Sequence, residues 1–472
     1  MKQKLSFGKI MVLGFALFAM FFGAGNLILP PALGTVSGSN WFSGFLMYIL
    51  VDAGLSVIAL LAYFKTPNGF LSNISRQLTP LTAAVLLFLN TLFLGPLIAI
   101  PRTAATTFDI GVRPLLGTLA APWMSWAFGA IYFGIVAVLC LKPGKVVDII
   151  GKLLAPAMLV ALLVLIGVGI FTPLGEIVPA ASLSEALSDG LRSGYQTMDM
   201  LGAVLLASVA VLAVKQSGAT ETKDKLKMVG LSGIVAAGGL FVVYGGLAYV
   251  GATVSGIPEL VTLAKTDRPA LLVELTDRLI GRFGGLLLGL IVAAACLTTA
   301  IGLVSSCAET FVDITKGKLP YRPTMLAIIG ISYLLSNLGT EMILNIAAPV
   351  LNVLFPMMIM LVLLSFFPRR IREHTCAAPL GAGLALIVTI ATEADSLIPG
   401  CHLGTCHLPL AAYGLGWLLP SLGAALIGGV IGAFFPRKAK LLKLEKAERK
   451  AKQKKQKSAD SGIKRMEIQN PV

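Results

Sequence analysis

Charge is scarce in this chain. Only 13% of its 472 residues are Asp, Glu, Lys or Arg, while 56% are hydrophobic. The charged share is about half that of an ordinary soluble domain. No soluble fold has interior enough to hide so much apolar surface, and a disordered chain needs the opposite balance. Histidine is scarcer still, with three residues at 374, 402 and 407. All three fall between apolar stretches, which argues against a membrane-embedded enzyme with a nucleophile–base pair. No GxxxxGK[ST] run is present, which argues against ATP drive within this chain, and neither HExxH nor GxSxG occurs. No large soluble domain fits anywhere. The longest outside loops, near 172–195 and 253–284, are too short to bury a core.

What is there is apolar and helical in pattern. Mean hydropathy is +0.86. Twelve apolar stretches are visible, near 10–34, 41–63, 81–104, 123–141, 153–171, 196–214, 229–252, 285–307, 324–338, 342–367, 378–392 and 411–435. Each approaches the ~20 residues that cross a hydrocarbon core. The expected class is an all-α polytopic membrane protein. The start, MKQKLSFGK followed by an apolar run, has the charge order of a signal peptide, but further apolar runs follow at once and it reads as a retained first span.

The net charge of +15 is split along the chain. From Arg437 onward the last 36 residues hold 13 Lys/Arg and 4 Asp/Glu, a net +9. Nucleic-acid binding is the naive reading of that balance, but basic loops have a topological explanation here. With both termini cytoplasmic, the inside segments before the tail hold 18 Lys/Arg and the outside ones 7. That asymmetry supports twelve spans. The tail at 436–472 either lies on anionic lipid headgroups or is a solvated topological anchor.

Span 1 contains FFGAGNLILPP. Gly23, Ala24 and Gly25 sit mid-span beside Asn26, with Pro30 and Pro31 a turn later. The pattern fits either an unwound, ligand-binding segment or a close helix contact with a proline kink. Span 6 contains GYQTMDMLGA. A carboxylate such as Asp199 in an apolar run is a functional candidate by default, unless it faces water at the outer mouth. Gln196, Thr197 and Gly202 add polarity and flexibility. Span 8 contains AACLTTAIGLVSSCAE. Thr298 and Thr299 either bond back to carbonyls one turn earlier or offer oxygens to a hard cation. Asp52 in span 2 serves a helix break, a cation or a neighbouring helix. Arg102 in PRTAATTFD gates an outer vestibule or snorkels to the interface. Cys140, Cys296, Cys307 and Cys376 read as apolar filler. CHLGTCH, with Cys401, Cys406, His402 and His407, admits a disulfide, a metal or neither.

Spans 1 and 6 lie five apart and both carry Gly-rich interruptions, the pointer to an inverted-repeat secondary transporter. FFGAGNLILPP, GPLIAIPRTAATTFDIGV, GYQTMDMLGA and CLTTAIGLVSSCAE together resemble the motifs of the bacterial branched-chain amino acid transport system II carrier family, over about residues 8–435. The resemblance implies uptake of leucine, isoleucine and valine across the bacterial inner membrane, coupled to Na⁺ or H⁺, with no other cofactor and no obligate protein partner. It also implies the five-plus-five fold of amino acid–polyamine–cation transporters, with repeats near 8–171 and 194–367, discontinuous helices 1 and 6, and extra helices at 378–435. By the same likeness, N–H groups around Gly23, Ala24 and Gly25 hold the substrate carboxylate. Carbonyls at Tyr195, Gln196, Thr197 and Met198 receive its ammonium, with Tyr195 as a cap. Asn26 ligates one cation. Ala19, Phe22 and Ala295 carbonyls with the Thr298 and Thr299 hydroxyls ligate a second. Asp199 departs from the sodium-coupled pattern and implies either stronger ammonium binding or a proton site.

Overall fold

The computed structural model of the chain describes residues 7–65, 74–117, 121–141, 155–203, 205, 222–315, 317–368, 371, 375–398 and 402–434. The basic tail, Cys401 and most of the second part of span 6 lie outside the described residues.

The described residues are mostly helical, as their composition requires: a backbone in hydrocarbon must satisfy its own polar groups. The order is α1 (Phe7–Phe21), α2 (Ala24–Ser37), α3 (Trp41–Ile49), α4 (Leu55–Lys65), α5 (Pro80–Leu92), α6 (Ala99–Thr107), α7 (Pro122–Cys140) and α8 (Ala155–Phe171). Then follow α9 (Leu183–Thr197), α10 (Thr222–Ala252), α11 (Pro258–Thr266), α12 (Arg268–Ile280), α13 (Arg282–Ile314), α14 (Tyr321–Ser336), α15 (Thr340–Leu364), α16 (Ala377–Leu397) and α17 (Leu418–Phe434). Among the described residues seven helices are long and apolar enough to cross a membrane. Helices occupy the other five expected stretches as well, but they are broken, short or only partly described.

The outside of the bundle is apolar. Val12, Ile131, Val138, Phe241, Leu426 and Val430 are all exposed. A soluble monomer does not tolerate such a surface, whereas hydrocarbon accepts it. Inside, Phe21, Phe22, Phe45, Tyr48, Tyr244 and Phe355 are buried at 2% exposure or less and anchor one continuous core.

Several helices are interrupted where the sequence removes a hydrogen bond or a side chain. Span 1 breaks at Phe22–Gly23, between α1 and α2. Span 2 passes from α3 to α4 through one wide π-type turn at Leu50–Gly54, which carries Asp52. Span 3 is kinked between α5 and α6, where Gly95 leaves helical geometry (ψ −111°) and Pro96 has no N–H to give. Backbone-on-backbone packing fixes how α2 and α10 cross. A Cβ on Gly34 would stand 1.9 Å from the Ala248 carbonyl oxygen, and one on Gly251 would stand 2.0 Å from that of Pro31. The Thr35 hydroxyl donates to the Gly251 carbonyl at 3.0 Å across the same contact.

Two sequence expectations need correction. Residues 183–195, read as outside loop, form most of α9, which leads into the break of span 6. Hydropathy missed it because one face is polar. The other face is small: a Cβ on Gly190 would lie 2.2 Å from the Gly44 carbonyl oxygen. A capping box, Ser182 with Glu185, starts the helix. The two exposed hydrogen bonds from Ser182 hold the Glu185 carboxyl below its ordinary pKa. The 253–284 loop also does more than connect. It folds as α11 and α12, and Val254, Leu260, Ala264, Leu271 and Leu275 bury a small cluster against Ala32 of α2.

Candidate functional site

The two broken helices meet at the centre of the bundle. α2 begins after Gly23 (φ −129°, ψ −171°), so its first N–H groups have no intrahelical acceptors. α9 ends at Thr197, and Met198 follows with φ 66° and ψ 11°. A left-handed conformation costs a non-glycine residue ~1–2 kcal/mol, and its presence marks a break held by its surroundings. Helical backbone resumes at Asp199. One helix thus presents donors and the other acceptors to the same space. Between them lies a cavity of about 40 Å³. Its polar lining includes Gly23, Asn26, Arg102, Thr197, Asp199 and Thr299; Phe21, Leu94, Ala99, Met198 and Leu303 make its apolar side.

Asn26 ties the two breaks together. Its Nδ2 lies 2.9 Å from the Phe21 carbonyl, 2.8 Å from Asp199 Oδ2 and 2.6 Å from the Tyr244 hydroxyl. Two hydrogens face three oxygens, so at most two of these bonds are donated at once. Asp199 therefore stands at the break, partly open to the cavity, and not at the outer mouth. The Asp199 carboxyl and the Thr197 hydroxyl face Asp52, which is 1% exposed and has no hydrogen-bond donor seated on either carboxylate oxygen. The buried Tyr48 hydroxyl, one turn before Asp52 on span 2, is also without a partner.

Between spans 1 and 8 the hydroxyls differ. Thr298 donates to the Ala295 carbonyl at 2.7 Å. Thr299 Oγ1 is buried without a partner and lies 3.4 Å from where a Cβ of Gly23 would be. An orphan oxygen against an unwound backbone fits a small hard cation. Phe22, next to Gly23 at the break, gives its N–H to the Phe18 carbonyl at 2.9 Å.

Arg102 neither snorkels nor stands in a vestibule. It is 4% exposed and donates from Nη1 to the Gln196 carbonyl at 2.7 Å and from Nη2 to that of Thr197 at 3.5 Å. The Gln196 side chain points elsewhere, accepting from Arg268 at 2.9 Å. Arg268 also lies 3.8 Å from Glu341, so it joins α12, α9 and α15. Tyr195 stands outside the cavity, stacked on Phe355 at 4.8 Å between ring centroids. Residue types alone gave no hint of Tyr244, although its place among glycines in VVYGGLAYV was a signal of close packing.

Of the cysteines, Cys140, Cys296 and Cys307 are buried, Cys376 is partly buried and Cys406 is exposed. Among the described residues no three His, Cys, Asp or Glu converge as metal ligands.

Broken helices 1 and 6 facing one cavity inside an apolar bundle define the fold class, an all-α polytopic membrane protein with two discontinuous helices. The chain is similar to Mhp1, a nucleobase-cation-symport-1 family transporter, in a closed conformation (TM-score 0.56, 14% identity, 90% of this chain and 92% of that one). It is similar in the same way to a Na⁺-coupled sialic acid symporter (TM-score 0.59, 12% identity, 89% and 90%). At such identities the likeness concerns the fold. The chain belongs to the branched-chain amino acid transport protein family, whose sequence model matches residues 6–435. Relatives include the branched-chain amino acid permease BraB of Bacillus subtilis, 33% identical over 92% of this chain and 98% of the relative. The branched-chain amino acid transport system 2 carrier protein of Pseudomonas aeruginosa is 33% identical over 89% and 95%. The protein is a membrane transporter for amino acids and not an enzyme.

Proposed function

We propose that the protein is a secondary active symporter that imports leucine, isoleucine and valine together with Na⁺ by alternating access. The observation that carries this reading is the cavity between the two breaks, with helix donors at Gly23–Gly25 on one side and the orphan Thr299 hydroxyl beside it. A helix N-terminus suits a carboxylate. Phe21, Leu94, Met198 and Leu303 suit a branched aliphatic side chain, at ~0.8 kcal/mol per buried CH₂. In this reading Na⁺ is held by the Ala19, Phe22 and Ala295 carbonyls with Thr298 and Thr299, and a second cation meets Asn26 through Oδ1. One net positive charge moved inward gains ~2.3 kcal/mol per 100 mV, enough to concentrate a zwitterion about fiftyfold. The cytoplasmic placing of both termini, the bacterial inner membrane, the repeat boundaries at 8–171 and 194–367 and contact of the tail at 436–472 with lipid belong to the same proposal.

A second reading is proton coupling through Asp199. Its support is the buried Asp52, which faces Asp199 without a seated donor. Two carboxylates in contact commonly share one proton. Labelled leucine uptake into proteoliposomes, under a Na⁺ gradient or under a pH gradient, separates the two. Uptake driven by Na⁺ and lost in Thr298→Ala with Thr299→Ala supports the first reading. Uptake driven only by pH overturns it.

A further inference from the structure

A second cavity lies at the outer end of α6. Ala99, Arg102 and Thr103 of that helix line the central cavity, whereas Ala104 and Ala105 line the other one. It measures about 270 Å³ and sits where α6 and α14 end and α7 begins. That is far more than the ~10–15 Å³ one water needs. The loop charges read this end of the bundle as the outer one. The two cavities share no lining residue.

Its wall carries both signs of charge. Asp109 stands in the wide π-type turn Phe108–Val112 that follows α6, and Arg113 comes four residues later. The two do not satisfy each other. Arg113 Nη1 lies 3.9 Å from Asp109 Oδ1, beyond hydrogen-bond reach, and the Arg113 side chain is 60% exposed. Asp109 Oδ2 accepts from the Thr340 N–H at 3.1 Å, which fixes the carboxylate against the start of α15. Asn337 lines the same cavity, and its amide oxygen is buried without a partner. The remaining wall is apolar, with Phe108 and Phe128 at 5.7 Å between ring centroids and Leu338 nearby. A lone anion here meets Asp109, and a lone cation meets Arg113. A molecule bearing both charges pairs with each, and its carbon skeleton has the apolar wall to lie on. Exposed Trp123 and Trp126 on the first turns of α7, with exposed Leu334 on α14, place the mouth at the level of lipid headgroups.

We propose that this outer cavity is a second ligand site, for a zwitterion whose ammonium pairs with Asp109 and whose anionic group pairs with Arg113. Two molecules bring that chemistry to this depth: a free α-amino acid and the head of a zwitterionic phospholipid. The site stands apart from the transport reading, because none of its residues lines the central cavity.

The test counts molecules bound to the purified full-length protein. In one arm labelled leucine is titrated by equilibrium dialysis in Na⁺. In the other, delipidated protein is mixed with phosphatidylethanolamine, or with phosphatidylglycerol, which lacks the ammonium, and retained lipid is counted by native mass spectrometry. Wild type, Arg113→Gln and Asp109→Asn run side by side. A free amino acid at the site gives two leucines per wild-type chain, and either variant weakens one of them about tenfold, the scale of one charge-assisted bond. A lipid at the site leaves leucine at one per chain. Phosphatidylethanolamine is then retained over phosphatidylglycerol, Arg113→Gln weakens its retention about tenfold, and Asp109→Asn removes the preference. A leucine count and a lipid retention that both variants leave unchanged overturn the proposal. Asp109 also holds the start of α15, so if Asp109→Asn does not fold, the largely exposed Arg113 carries the test alone. A wild type that binds no leucine anywhere refutes the transport reading, while the lipid arm still decides the outer site.

Discussion

Replacing Thr299 by valine removes one oxygen and keeps the side chain's shape. In the structure that oxygen is buried and bonds to nothing, a state that costs ~1–3 kcal/mol. Its loss should therefore not destabilise the cation-free protein, and Thr299→Val should melt at or above the wild-type temperature in K⁺. Sodium reverses the comparison. If Thr299 is a ligand, its removal costs about 1.5–3 kcal/mol of cation binding, or ten- to a hundredfold in affinity. At a Na⁺ concentration of about 100 wild-type dissociation constants, linkage stabilises the wild type by ~2.7 kcal/mol. The variant at the same concentration sits at about 1–10 of its own constants and gains only ~0.4–1.4 kcal/mol. Paired melts in detergent, in Na⁺ and in K⁺, read both signs at once. The reasoning is refuted if Thr299→Val keeps the full Na⁺-induced shift, or if its cation-free melt falls well below that of wild type.

Three further outcomes follow from single contacts. Gly34→Ala places a Cβ 1.9 Å from a backbone oxygen of α10 that cannot turn aside; it should cost about 3 kcal/mol or more and abolish a monodisperse elution peak, while Gly238→Ala, with open space around it, should elute as wild type. Asp52→Asn should keep Na⁺-driven leucine uptake within about threefold and remove any pH-driven uptake; pH-driven uptake that survives would eliminate the proton role of the Asp52–Asp199 contact. Arg268→Ala frees Gln196 and Glu341, so release of bound labelled leucine should quicken about fivefold, the worth of ~1 kcal/mol in a partly exposed pair; an unchanged release rate would show that α12 does not hold the site closed.

How much of this was legible beforehand depends on whether the signal was local. The break in span 1 was, because a Gly-x-Gly beside Asn in an apolar run has few other uses. So was Asp199, since a carboxylate in hydrocarbon announces itself. The helix α9 was not, because half its surface is polar and hydropathy averages over both faces. The hairpin α11–α12 was legible only at its helix starts, Pro258, Asp267 and Pro269. Arg102 stayed ambiguous for a different reason. The kink at Gly95–Pro96 decides how deep α6 sits, and contact with residues 94 positions away along the chain is not written in any local pattern. Asp52 and Tyr244 were obscure for the same cause: each gains its meaning only from the helix opposite.

The crossing of α2 and α10 has a mechanical consequence. With Gly34 and Gly251 letting one backbone lie directly on the other, no layer of side chains remains for the two to slide upon, and Thr35 pins them by hydrogen bond. Under the proposed alternating access the pair would move as one strut. A lever made this way can swing only about its end, and α2 ends at the unwound Phe22–Gly23 link, beside the Thr299 oxygen. The bearing of the machine and its fuel port would then be the same few ångströms of backbone, so that a cation settling there would stiffen the joint on which the movement turns.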